Sequence, residues 1–109
     1  MKKKLLYNNK ILGEIYIADT LLKRLFGYMF QRKPYHKYIL ITPCNSIHTY
    51  FMKFEIDVLF LDKEMKVICI IKGLKPGKII MPIKNASTVV EAPCGNLYYF
   101  KIGNEVKII

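Results

Sequence analysis

The sequence predicts a small, mainly β domain of the α+β kind, an antiparallel barrel-like sheet with one covering helix. Three observations carry that expectation. Hydrophobic residues make up 52% of the 109 residues, too many for a disordered chain. Most apolar stretches are strand-length runs set off by Gly, Pro or Asn. The period switches from strand-like to helical only once, after Asp19-Thr20. One domain over residues 1–109 is expected, large enough to bury a core without metal or disulfide staples. No apolar run approaches the ~18 residues of a membrane-spanning helix.

Leu5 to Tyr7 and Ile11 to Ile17 flank Asn8-Asn9-Lys10, and asparagine tolerates the positive φ of a tight turn, so the chain opens with a hairpin. Asp19 or Thr20 can cap a helix in which Leu21, Leu22, Leu25, Phe26 and Met29 recur as one apolar stripe. That stripe is expected to cover the sheet, with Arg24 outside it and Gly27 serving as a cap or a point of close backbone approach. His36, beside Lys37 in polar surroundings, reads as solvent-exposed. Tyr38 to Thr42 is a strand that Pro43 breaks. Met65 to Ile71 is another strand, and Gly73 to Ala86 is irregular, with a turn at Pro76-Gly77 and Pro82 excluding a central strand. Ser87 to Ala92 is a strand, and Leu97 to Ile102 with Val106 to Ile109 forms a last hairpin about Gly103-Asn104.

The segment Thr42 to Asp62 concentrates the unusual chemistry. Its alternation reads as a hairpin, Ser46 to Met52 out and Asp57 to Asp62 back. In that register Ser46, His48, Tyr50, Met52, Asp57, Leu59 and Leu61 share one sheet face, and Ile47, Thr49, Phe51, Val58 and Phe60 the other. Both faces are largely apolar, as in a sheet covered on both sides. His48 and Asp57 would then lie about four positions apart, roughly 13 Å, which disfavours a direct His–Asp dyad.

SIHTYFMKFEIDVLFLD resembles the hallmark segment of the domain of unknown function 192 family. RLFGYM (Arg24 to Met29) resembles its Gly-Leu-Met segment, and VVEAPCG (Val89 to Gly95) its Glu-x-Pro-x-Gly segment. The resemblance implies a small mainly β fold, and the family's name records no activity. Tyr28 stands where that pattern has Leu, Gln31 where it has Arg, Glu55 where it has Pro, Met65 where it has a turn Gly, and Cys94 where it has Ala.

Three cysteines, Cys44, Cys69 and Cys94, cannot all pair, and an odd count fits free thiols in a reducing compartment. Lys2, Lys3 and Lys4 imitate the basic start of a signal peptide, but too few apolar residues follow, so a cytoplasmic location is expected. The net charge of +10 rests mostly on lysines spread along the chain, which reads as a solvated surface binding polyanions weakly and non-specifically at most.

Cys44, His48 and Met52 offer soft-metal ligands, but successive members would sit about 13 Å apart on a strand, so no metal and no cofactor are expected. Glu91, between Val90 and Ala92, is a carboxylate in an apolar strand and needs a partner, for which Arg24, Arg32 and His48 are candidates. Arg24 and Arg32 supply planar donor forks suited to a carboxylate or a phosphate, either as a structural pair with Glu91 or for an external anion; the structural pair with Arg24 is the favoured reading. Asp57 reads first as a carboxylate accepting loop N–H bonds. Function is therefore expected to be binding of a polar or anionic small ligand, or of a partner peptide, by Arg24, His48, Tyr50, Met52, Asp57 and Glu91. The alternative is an enzyme using Cys44 or His48.

Overall fold

Two consecutive asparagines in the left-handed region, Asn8 at φ 51° and Asn9 at φ 63°, make the first turn. Such a pair twists the way flanking strands twist. They join β1 (Lys2–Tyr7) to β2 (Lys10–Ala18) as the expected hairpin. The computed structural model describes residues 2–109. After β2 come α1 (Leu21–Phe26), β3 (Tyr38–Ile41), β4 (Ile47–His48), β5 (Ile56–Leu61), β6 (Val67–Leu74), β7 (Ile79–Ile80), β8 (Thr88–Pro93) and β9 (Lys107–Ile108). Seven strands form one sheet in the order β6-β5-β8-β3-β2-β1-β9, curled into a half-barrel, and β4 and β7 form a separate two-stranded sheet. The pairings are antiparallel except β2 with β3, whose crossover carries α1.

The sheet has a core on each face. Ile15, Ile17, Tyr38, Leu40, Leu59, Leu61, Val90 and Ala92 point to one side, where Leu97, Phe100 and Val106 close over them. Ala18, Ile39, Ile41, Val58, Phe60 and Val89 point to the other, covered by Tyr28, Ile47 and Met52. This is the two-sided burial that the alternation of β5 implies.

Four expectations fail. Ser46 to Met52 is not the outgoing strand of a hairpin with β5, because β6 and β8 occupy both edges of β5. Instead β4 pairs with β7, Ile47 opposite Ile80 and His48 opposite Ile79. Thr49 then turns the chain, accepting from Met52 N, while its buried hydroxyl donates to Lys75 O at 2.7 Å and accepts from Lys78 N at 2.8 Å. Met52 consequently sits with Val58 and Phe60, not with Leu59 and Leu61.

The final hairpin is also absent. Leu97 and Phe100 are both buried three residues apart, a spacing met by a turn in which Phe100 N donates to Leu97 O. β9 pairs with β1 instead. The helical stripe, thirdly, faces outward: no residue of α1 is buried, and Leu21 is 73% exposed. Covering the sheet falls to Tyr28, which follows the helix and is fully buried. His36, expected in solvent, is half-buried and stacks on Tyr16 with centroids 4.3 Å apart.

Asp57 holds two loops at once. Its Oδ1 accepts from Gly73 N and its Oδ2 from Gly95 N, each at 2.8 Å. Asp57→Asn puts an amide N–H against one of those donors, and hydrogen bonds to a buried charge are the strong ones. Urea denaturation should register a loss of about 2–3 kcal/mol; a loss below about 0.5 kcal/mol would show that the loops do not depend on this carboxylate.

Candidate functional site

β8 is a central strand, flanked by β5 and β3, and Glu91 lies on it opposite Val58 on one side and Ile39 on the other. Its side chain therefore enters the core that Tyr28, Ile47 and Met52 cover. Glu91 is 1% exposed, and its Oε1 is the one buried side-chain oxygen or nitrogen without a hydrogen-bond partner among the described residues. Burial pushes the carboxyl from 4.5 up to about 8, so at neutral pH it is mostly a neutral acid with a proton to donate.

A pocket of about 310 Å³ opens over this carboxyl. Three segments wall it: α1 through Leu21, Arg24, Leu25 and Phe26, the stretch from Pro43 to His48, and Met52. Each is held locally. Thr20 caps α1 by accepting from Lys23 N at 3.2 Å, and Gly27 ends it by donating to Lys23 O. Gly27 has φ +45°, and a Cβ there would lie 3.3 Å from Glu91 Oε1, so this position combines a positive-φ helix end with close approach to the acid.

Arg24 reaches from α1 to the opposite wall, donating from Nη1 to Pro43 O at 3.0 Å, with Nε at 3.4 Å from Thr20 O. These are neutral carbonyls, so the expected ion pair with Glu91 is not formed, and among the described residues no carboxylate pairs with the guanidinium. A six-residue helix with an outward stripe holds Arg24 over the rim, not down at the strand. Cys44 lines the same pocket, and burial pushes its thiol up.

Of the expected site residues, Arg24, His48, Met52 and Glu91 come together around the pocket with Cys44. Asp57 does not: it is on the adjacent strand with its side chain on the other face, both oxygens engaged. Tyr50 lies beyond the pocket, stacked on His48, whose Nδ1 accepts from Tyr50 N at 3.1 Å. In its neutral form this imidazole carries its proton on Nε2. Arg32 is exposed and forms no part of the pocket wall. Pro43 is on the wall because its carbonyl receives Arg24, a role for which a proline carries no periodic signal in the sequence.

Cys44 is not set up as an activated nucleophile. Cys44 Sγ donates to Ser46 O at 2.9 Å, and burial pushes the thiol up, the reverse of what a thiolate nucleophile needs. No cluster of three or more His, Cys, Asp or Glu able to hold a metal exists among the described residues. The three cysteines are free thiols. No helix of the described residues is long and apolar enough to cross a membrane.

Comparison with known proteins agrees with the sequence motifs. The DUF192 family model, described as Uncharacterized ACR, matches residues 6–108. A UPF0127 protein of Pyrococcus abyssi is 38% identical over 104 residues, covering 89% of this chain and 87% of its own length. Another, from Pyrococcus horikoshii, is 40% identical over 88 residues, covering 76% and 75%. Crystal structures of a protein of unknown function from Novosphingobium aromaticivorans and of a Sinorhizobium meliloti protein share the fold, with TM-scores of 0.77 and 0.82. Both are 15% identical, the first covering 98% of this chain and 84% of its own and the second 99% and 94%. The chain belongs to the DUF192 family.

A carboxyl near 8 when folded and near 4.5 when unfolded gives folding a defined pH dependence. Below about pH 4.5 both states hold the proton; as pH rises toward 8 only the unfolded chain releases it, so stability declines across that window by an amount on the order of a few kcal/mol. Glu91→Gln, which cannot ionise, should flatten the decline and gain stability relative to wild type above pH 7. Chemical denaturation from pH 5 to pH 9 measures this, and parallel profiles for the two proteins would refute a neutral buried Glu91.

Proposed function

We propose that this DUF192 domain binds a small anionic ligand in the pocket over Glu91. The observation that carries the reading is the buried, unpartnered Glu91 Oε1 on a rigid central strand, facing a pocket whose rim bears an arginine with no carboxylate opposite it. A buried polar atom without a partner is costly, and a ligand oxygen in the pocket would supply what the protein lacks. The neutral carboxyl would donate its proton to that oxygen, and the Arg24 guanidinium would balance the charge. His48, with Nε2–H left to donate, is a further polar group on the wall. A volume of about 310 Å³ is at the small end of ligand sites.

The test is thermal unfolding of the full chain with sodium acetate and, separately, inorganic phosphate. At ten times its dissociation constant a ligand of the folded state stabilises by about 1.4 kcal/mol, which in a domain this size raises Tm by roughly 6–10 °C. Arg24→Ala should abolish the rise, whereas Arg32→Ala, outside the pocket, should keep it. Absence of any rise with either anion, at constant ionic strength, would reject the reading.

A further inference from the structure

We propose that the ligand is an amphiphile, a carboxylate bearing an aliphatic chain, with its head between Glu91 and Arg24 and its chain carried past His48 into an apolar groove on the β4–β7 ribbon. The inference rests on the anion-binding reading above and adds the ligand's class. A second cavity, of about 460 Å³, adjoins the first, and Ser46, Ile47 and His48 line both. The remaining walls of that groove are Tyr50, Ile79, Ile80, Met81 and Pro82. Ile79, on the groove wall, pairs directly with His48, which lines both cavities.

The side chains of the groove are large, apolar and open to water: Ile79 is 55% and Met81 72% exposed. A flexible methionine beside an isoleucine suits an aliphatic chain of unspecified length. The opposite rim of the pocket is apolar too, through Leu21 and Leu25. Charge agrees with the polarity. Residues 21–52 and 79–82, which supply every lining residue of both cavities except Glu91, contain no Asp or Glu, so an approaching anion meets no carboxyl group other than Glu91 on either wall. A single arginine balances one negative charge, which favours a monocarboxylate over a phosphate dianion, and a neutral carboxyl pairs with a carboxylate through a short O–H···O bond.

The experiment is a titration of the 109-residue chain with acetate, butyrate, hexanoate and octanoate, each below its micellar concentration, followed by backbone amide NMR shifts. Affinity should rise about two- to fourfold per methylene as the chain enters the groove. Met81→Asp should remove that increment, leaving octanoate no tighter than acetate. Leu22→Asp, an equally exposed apolar position that lines neither cavity, should keep it. Acetate binding with no gain from chain length would overturn the amphiphile while leaving the anion site standing. No binding by any member would overturn both, and loss of the increment in Leu22→Asp as well as in Met81→Asp would reduce it to unspecific surface adsorption and overturn the groove.

Discussion

A strand has two hydrogen-bonding edges, and in this chain β6 and β8 take both edges of β5. The rest of the architecture near the pocket follows. The segment before β5, although apolar and strand-like in composition, has no edge left to join and must leave the large sheet. It pairs for two residues with β7, then turns at Thr49, whose hydroxyl and backbone hold the 75–78 loop against it. Phe51 takes φ 63° at that turn and stacks on Phe30, itself at φ 65°, with Phe30 N donating to Phe51 O. Non-glycine residues at positive φ persist only where their surroundings over-determine them. Excluded from the sheet, residues 43–52 become the wall of a pocket.

Two carboxylates on neighbouring strands illustrate how environment assigns role. Asp57 and Glu91 lie one residue out of register across β5 and β8, so their side chains point to opposite faces. Asp57 meets two amide N–H groups and becomes a clamp between loops. Glu91 meets Val58, Ile39 and Gly27, none of which offers its Oε1 a proton, and becomes a neutral acid at the bottom of a pocket. The same functional group is satisfied and structural in one place, unsatisfied and available in the other.

Local features were legible in the sequence because local physics decides them. The Asn8-Asn9 turn, the Thr20 cap, the Gly27 cap and the two-sided burial of β5 all follow from residues close in the chain. Glu91 stood out for the same reason, as a carboxylate inside an apolar run. What sequence could not supply was direction and partnership over long separations. The α1 stripe was visible, but periodicity says which side chains share a face and not whether that face meets the core. The partner of Arg24 is a case of this: its hydrogen bonds go to Pro43 O, nineteen residues away, and to its own cap, not to Glu91. The 97–102 segment misled because Leu97 and Phe100 look like strand residues until their three-residue spacing is seen to serve a turn.

The outward face of α1 bears on how the pocket opens. An isolated six-residue helix is far below the length at which helices hold in water, and this one buries no side chain, so what keeps it is the Thr20 and Gly27 caps and the Arg24 contact across the pocket. Such an element has little free energy of its own opposing local opening, whereas the strand beneath it lies between two partners in the centre of the sheet. The pocket is thus a rigid acid under a weakly held rim. A ligand that engaged both Glu91 and Arg24 would link floor to rim and could bury the leucines that α1 now exposes, so binding and ordering of the helix would reinforce each other. Gly27 is where that coupling is tightest, since it ends the helix, sits 3.3 Å in Cβ terms from Glu91 Oε1, and leads directly into the buried Tyr28 that covers the sheet.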